Sequence, residues 1–265
     1  MATVVSITNP ITGAVEQVDK LDHTAQQIDD AVALAPQLSN PNLLDNWYFG
    51  NPVNQRGQTE YAVSGYNIDR WKSGAASDVV KVENGVLSIS MTALYQTFSQ
   101  SIENPERYSG ETLTVSVLVD SVDANAAYQL VVRTGTQLGQ YATKLVTGSG
   151  LFSTKWKVPD GCTLLQVVIQ SVKANAGNIS IKAAKLELGS QQTLAHQDAD
   201  GNWVLNEVPD YGEQLRRCQR YFQLYSAADK RPAKAVDCRP VMRADPSQST
   251  IVVNSTTYYY NTADL

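Results

Sequence analysis

The chain has 265 residues, enough for one large or two modest domains whose core needs no disulfide or metal to stabilise it. Acidic residues outnumber basic ones by 26 to 21 and no basic block interrupts the sequence, which argues against nucleic acid as a partner. The three cysteines lack metal-ligand spacing and no apolar run could cross a membrane, so we expect no cofactor, no metal and no membrane insertion.

Residues 1–40 form a distinct opening segment, for which the sequence predicts a short hairpin and a helix. β-Branched residues at 4–7 precede turn signals at 9–13, and Asp22 or Thr24 can cap a helix that ends before Pro36. Its apolar positions have coiled-coil spacing, which predicts a contact between subunits; a helix that packs on its own chain is the alternative. These positions are Val18, Leu21, Ala25, Ile28, Val32 and Ala35.

From about residue 41 to 190 the pattern changes to strands separated by turns. Six apolar or alternating segments predict strands, with no helix between them. Two antiparallel sheets packed face to face are therefore expected. The segments are 79–82, 86–91, 112–119, 128–133, 164–169 and 179–188.

The remaining chain is predicted to be a polar connection, 191–206, and a small β-rich unit, 207–265. Residues 211–224 indicate a helical turn that leads into a strand, and further strands are predicted at 236–239, 250–253 and 257–260. About 55 residues are few for an independent β-domain, so this unit should need the sandwich or other subunits to bury its apolar face. This shortage favours oligomerisation.

Four ordered motifs carry a resemblance to a known family: 51–57, 66–71, 185–190 and 217–222. The chain from about 41 to 245 resembles the lectin-like β-sandwich modules of bacteriophage tail fibres and prophage structural proteins. The resemblance implies an all-β, jelly-roll sandwich similar to carbohydrate-binding modules. It also implies a homotrimeric virion appendage, made in the host bacterial cytoplasm and attached to other virion proteins through its N-terminal segment.

The aromatic-rich stretch around residues 42–71 predicts a glycan site. Such sites combine an aromatic face with carboxylate, amide and guanidinium groups that satisfy sugar hydroxyls. The alternative, which the recurrence of these residue types in such modules favours, is that Asp69, Arg70 and Trp71 lock an irregular loop through an ion pair and a cation–π contact. The candidate ligand residues are Trp47, Tyr48, Arg56, Asp69, Arg70 and Trp71.

Other aromatic and acidic residues have simpler interpretations. Trp156 is predicted to face the core, whereas Trp203 and the run Tyr258, Tyr259 and Tyr260 are predicted to be surface or intersubunit anchors, because three consecutive strand residues cannot share one face. Turn formation, rather than calcium binding, is the expected role of the cluster of Asp120, Asp123 and Asn125.

The sequence contains no recognisable catalytic motif. Only His23 and His196 are present, no cysteine is paired with a histidine in the sequence, and Cys218 is expected to be a small buried hydrophobe. We therefore expect a non-enzymatic structural component of a tailed-phage virion that binds host surface glycan. The alternatives are a fibre, collar, baseplate or head decoration protein without a ligand, and a polysaccharide-degrading enzyme, which would need two converging carboxylates.

Overall fold

The computed structural model describes residues 39–135, 141–229, 231–253 and 255–264, together with Thr24, Gln27 and the backbone of two N-terminal strands. The chain divides into two compact units, Met1–Leu38 and Ser39–Leu265. The sandwich and the C-terminal β-rich part thus belong to the same unit.

In the first unit, β1 (Val4–Thr8) pairs antiparallel with β2 (Val15–Asp19), which confirms the predicted hairpin. Thr24 and Gln27 form a capping box: the Thr24 N–H donates to Gln27 Oε1 at 2.8 Å, and the Gln27 N–H donates to Thr24 Oγ1 at 3.2 Å. Val18 lies in β2, so assigning it to a helical stripe was wrong. The other predicted stripe positions, Leu21, Ala25, Ile28, Val32 and Ala35, lie outside the described residues.

The second unit contains a sandwich of two six-stranded antiparallel sheets. One sheet has the order β11 (Tyr141–Val146), β10 (Tyr128–Arg133), β13 (Gln166–Ser171), β8 (Thr97–Ser101), β5 (Lys72–Ser73), β4 (Gly65–Tyr66). The other has the order β12 (Gly150–Lys157), β9 (Thr112–Val122), β14 (Asn178–Leu188), β7 (Val86–Ser90), β6 (Val79–Glu83), β3 (Glu60–Tyr61). From β7 to β14 the chain alternates between the sheets except at the β10–β11 hairpin, which is a jelly-roll arrangement. The predicted fold class and all six predicted strands are confirmed.

Which residues of a strand are buried depends on whether one or both of its faces are covered. In β7, Leu87 and Ile89 are buried and their neighbours are partly exposed, as expected for a strand with one face on the core. In β9, the seven residues 113–119 are all buried, because both faces are covered. The outer covering includes the polar connection, because the Thr193 N–H donates to Oε1 of the buried Glu187 in β14 at 2.7 Å.

The C-terminal part begins with a short hairpin, β15 (Ala195–Gln197) and β16 (Trp203–Leu205). Helix α1 (Tyr211–Cys218) follows and is capped by Asp210, whose side chain accepts the Glu213 N–H at 2.8 Å. A three-stranded sheet has the order β17 (Phe222–Tyr225), β19 (Thr256–Thr262), β18 (Ser247–Val253). The helix and these strands confirm the prediction, except that 236–239 is not a strand: a 3-10 turn, Ala235–Asp237, lies there and contributes to a small core with Cys238 and Met242.

Candidate functional site

The predicted glycan residues include two tryptophans, and the structure places both in the core. Trp71 is fully buried, stacks on Phe98 with ring centroids 5.1 Å apart, and donates from Nε1 to the Asn46 carbonyl at 2.9 Å. Trp47 is buried as well, and Tyr48 is half-buried with its ring at the edge of Trp47. Buried rings offer no face to a sugar, so Trp47 and Trp71 hold the fold together and do not form a ligand surface.

Arg70 fits the loop-lock alternative, although its partner is Asp45 and not Asp69. Its backbone is left-handed (φ 71°), an uncommon conformation for a residue with a Cβ atom. Its Nε donates to Asp45 Oδ2 at 2.9 Å, and its guanidinium carbon lies 3.5 Å from the centroid of the Tyr221 ring. These contacts stabilise the strained backbone and fasten the sandwich to the C-terminal part.

Asp69 is also buried, and its oxygens have partners inside the protein. Oδ2 accepts the Gln55 N–H at 2.7 Å, and Oδ1 accepts from Gln55 Nε2 at 2.9 Å and lies 3.4 Å from Arg56 Nη1. Burial raises the pKa of Asp69 from its ordinary 3.8 to about 6, although Arg56 and the Gln55 hydrogen bonds act in the opposite direction. Asp69 therefore supports Arg56 from within and is not available to a ligand.

Arg56 connects this buried network to an open cleft. Its Nη2 pairs with Asp264 Oδ2 at 2.9 Å, and its guanidinium carbon lies 3.9 Å from the centroid of the Phe222 ring and 5.5 Å from that of Tyr66. Burial also raises the pKa of Asp264, and Arg56 opposes this shift. Of the predicted ligand residues, Arg56 is thus the one that lines this cleft.

We call this site the aromatic cleft. It has a volume of about 470 Å³ and lies between the β3–β4 edge of the sandwich and the C-terminal sheet. Its aromatic walls lie beside one guanidinium, one carboxyl, an amide and hydroxyl groups, which is the chemistry that saccharides require. Its main lining residues are Arg56, Gln58, Tyr66, Thr250, Tyr260 and Asp264.

Two of the three tyrosines predicted to form an interface have partners within the chain. Tyr258, Tyr259 and Tyr260 are half-buried; the guanidinium carbon of Arg231 lies 3.9 Å from the Tyr259 ring centroid, and Tyr260 packs on Phe222 at 5.1 Å. Their part in a subunit contact stays a prediction.

Three further predictions concern single residues. Trp203 is 37% exposed, as expected of a surface anchor, and Trp156 is half-buried against the core, where its Nε1 donates to Thr134 Oγ1 at 3.1 Å. Cys218 is fully buried, and burial raises the pKa of its thiol well above the ordinary value, as expected for a small hydrophobe.

The acidic turn residues are engaged within the fold. Asp120 pairs with Lys182 at 2.7 Å, and Asp123 Oδ2 accepts from the backbone and side chain of Asn178 at 2.9 Å. Within the described ranges, no group of three or more His, Cys, Asp or Glu side chains is placed to hold a metal ion. The same part of the chain contains no helix with the length and apolar character needed to span a bilayer.

Sequence reasoning missed residues that organise this region. Asn46 accepts the Val53 N–H at 2.7 Å and donates to the carbonyls of Val53 and Asp69, both at 2.8 Å. Its backbone is left-handed (φ 50°), a conformation in which Asn is enriched. The asparagines in the stretch around residues 42–71 were therefore a usable signal for such a conformation. Asp264 gave no signal, because it meets Arg56 from the far end of the chain.

No family model and no curated protein matches the chain. Among solved structures, the chain is similar to the CBM22-1 xylan-binding domain of Paenibacillus barcinonensis Xyn10C, with a TM-score of 0.38 and 18% identity over 58% of this chain and 98% of that one. A structure titled "CBM4 structure and function" has a TM-score of 0.36 and 16% identity, over 55% of this chain and 99% of that one. The enzymatically active domain of bacteriophage CBA120 tailspike protein 4 has a TM-score of 0.35 and 14% identity, over 56% of this chain but 21% of that one. At such low scores a functional argument has to come from the chain's own residues.

Proposed function

We propose that the protein binds saccharide in the aromatic cleft, and that it does so as a structural component of a tailed-phage virion that contacts glycans on the host surface. The observation that carries the binding proposal is the cleft itself. Its open aromatic side chains, Tyr66 and Tyr260, lie beside a guanidinium that two carboxylates hold in place.

The cleft matches the two faces of a sugar ring. The apolar face of a pyranose can stack on a tyrosine ring, while its hydroxyls find donors and acceptors on Gln58, Thr250 and Asp264. Arg56 has a fixed orientation because it pairs with Asp69 and Asp264 and packs on Phe222, so binding orders few side chains. A site of this kind is preorganised for a neutral saccharide.

The proposed virion role rests on the ordered motifs of the sequence. It includes a proposal for how the protein assembles. In this proposal the protein is a homotrimer, is made in the host bacterial cytoplasm, and attaches to other virion proteins through its N-terminal segment, which contains the β1–β2 hairpin. Several copies on one particle would give avidity, so each cleft can bind weakly. Sedimentation of the native protein should give a trimer, and imaging on a particle should show the N-terminal segment at the attachment end.

The binding test compares two tyrosine variants on a glycan array, followed by calorimetry on the best ligand. Tyr66→Ala removes a cleft wall and should lower affinity roughly tenfold or more, the effect of one lost aromatic contact. Tyr141→Ala removes a part-exposed tyrosine from the edge strand β11 and should leave affinity unchanged. A glycan array that stays blank with assembled trimers, together with a failure of particles to assemble without the protein, would favour a fibre or decoration protein without a ligand.

Catalysis is the other alternative, and the lining of the cleft lacks the pair of carboxyl groups that it would need. Glycoside hydrolysis needs two carboxyl groups facing the scissile bond. Asp264 lines the cleft, whereas Asp69 lies beneath it, 1% exposed and saturated by Gln55 and Arg56. We therefore propose a binding protein and not an enzyme. Turnover of host polysaccharide that Asp264→Asn abolishes would contradict this assignment.

A further inference from the structure

A second pocket, which shares no lining residue with the aromatic cleft, lies where the sandwich meets helix α1 and the 3-10 turn Pro105–Tyr108. Its volume is about 230 Å³, below the range of about 300–1,000 Å³ typical of drug-sized ligands, so it suits a single small group. We call it the arginine pocket after its charged lining residues, Arg70, Arg107, Arg217 and Arg220, with Asp45 and Glu103 as the acids.

The acids of this pocket do not neutralise its arginines. Asp45 is shared between Arg70 Nε at 2.9 Å and Arg217 Nε at 2.7 Å. Glu103 is likewise shared between Arg220 Nη2 at 3.3 Å and Arg243 Nε at 3.9 Å, and it also accepts the Tyr221 hydroxyl. An excess of positive charge therefore remains here, in a chain whose formal net charge is -5.

Two of the guanidinium groups also have unused donors. Arg70 Nη1 is buried and has no hydrogen-bond partner, although Asp45 and the Ser101 carbonyl satisfy its other nitrogens. Arg107 is exposed, and none of the described residues pairs with its side chain. Guanidinium groups bind carboxylates through paired, charge-assisted hydrogen bonds, so this lining is suited to an anion.

We propose that the arginine pocket binds the carboxylate of an acidic saccharide, such as a uronic acid unit, as a second subsite of the protein. The half-buried Tyr108 ring in the lining supplies apolar surface for the sugar that carries the carboxylate. This proposal rests on the proposed saccharide-binding function. It adds a selectivity that the aromatic cleft, with its single guanidinium already paired to two carboxylates, does not provide.

Calorimetry at low salt tests the proposal with a glucuronate-containing hexasaccharide and its carboxyl-reduced counterpart, which has the same length and no charge. The native protein should bind the acidic form more tightly, because the reduced form cannot pair with guanidinium groups. Arg107→Gln should weaken the acidic ligand roughly fivefold and leave the reduced ligand unchanged. Arg216→Gln removes the same charge from an exposed position outside the pocket, and affinity should stay at the native value.

The outcomes distinguish the proposal for the arginine pocket from the general proposal that the protein binds saccharide. Equal affinity for the two hexasaccharides, or equal losses in Arg107→Gln and Arg216→Gln, would overturn the arginine pocket as a carboxylate site while leaving saccharide binding intact. Absence of binding by both ligands, together with a blank glycan array, would overturn both proposals. Inorganic sulfate that competes with the acidic ligand as strongly as free glucuronate does would show a simple anion site and would also overturn the saccharide assignment.

Discussion

The interior of the sandwich and the contact between the sandwich and the C-terminal part are stabilised by different interactions. The sandwich has one continuous apolar core, with aromatic stacking at Trp71. The C-terminal part has only a small apolar cluster of its own in the described residues, around Cys238 and Met242. It is fastened instead by ion pairs and ring contacts, which we call the charged seam: Asp45, Arg70, Glu103, Arg217 and Tyr221.

This difference bears on where ligands can bind. An apolar core closes on itself and leaves no polar group exposed, whereas a contact built from arginines and carboxylates leaves donors at its rim. Both candidate sites, the aromatic cleft and the arginine pocket, lie along the contact with the C-terminal part. Substitutions in the sandwich core and at the charged seam should therefore affect the stability of the protein differently.

The largest effect is expected in the apolar core. Trp71→Ala should cost about 3–5 kcal/mol of unfolding free energy, because it leaves a cavity beside Phe98 and an unpaired Asn46 carbonyl. Denaturant unfolding followed by circular dichroism measures this. As the control, Trp203→Ala on the surface should change stability by less than about 1 kcal/mol. Similar losses in both variants would contradict the placement of the core.

A smaller and more local effect is expected at the charged seam. Asp45→Ala leaves the buried Arg70 without its carboxylate and should cost about 3 kcal/mol. Hydrogen exchange should accelerate in α1 and β17 and stay near native in β9 and β14, because the sandwich core is untouched.

The control for the seam is the exposed pair Lys81 and Glu60 on the sandwich surface. Lys81→Ala should change stability by no more than about 1 kcal/mol and should leave exchange in α1 unchanged. Faster exchange spread evenly over the sandwich in Asp45→Ala would show that the two regions are stabilised as one.

The pH dependence of stability should reveal the buried carboxyl below the aromatic cleft. The folded-state pKa of Asp69 is about 6 and its ordinary value is 3.8, so between these values the folded protein binds more protons than the unfolded chain. The contribution of Asp69 to stability therefore falls as pH rises from about 4 to 6, by up to about 3 kcal/mol.

Asp69→Asn removes this proton uptake, and the variant's unfolding free energy should vary less over the same pH window. Asp198→Asn is the matched control. Asp198 is an exposed carboxyl, and the hydrogen bonds that it accepts from Asn202 lower its pKa. A native pH profile in Asp69→Asn would mean that Asp69 titrates normally.

Much of the fold could be predicted from the sequence because the central strands are apolar or alternate. β8 and β11 were missed because their residues break these patterns: Ser99 and Gln100 are polar but buried in β8, and most of β11 is exposed. Gln100 is tolerated in the interior because it exchanges hydrogen bonds with the Asp45 backbone at 2.7 Å, a pairing that strand propensity does not reveal.

The sites were less predictable than the strands. The sequence places Arg70 and Trp71 next to each other and so indicated a locked loop, but local order says nothing about which side chains remain exposed. The aromatic cleft depends on Arg56 meeting Asp264 and on Tyr66 and Tyr260 lining the same space, which happens only when the C-terminal sheet packs against the sandwich. Contacts between such distant segments follow from the tertiary structure and not from residue spacing.

The central claim, that the aromatic cleft is where the protein binds saccharide, is tested most directly by a crystal structure with the tightest ligand from the glycan array. The account predicts a sugar ring against Tyr66 or Tyr260, with hydroxyls bonded to Asp264 or Gln58. A ligand bound on an open sheet face of the sandwich, with the cleft empty, would contradict it.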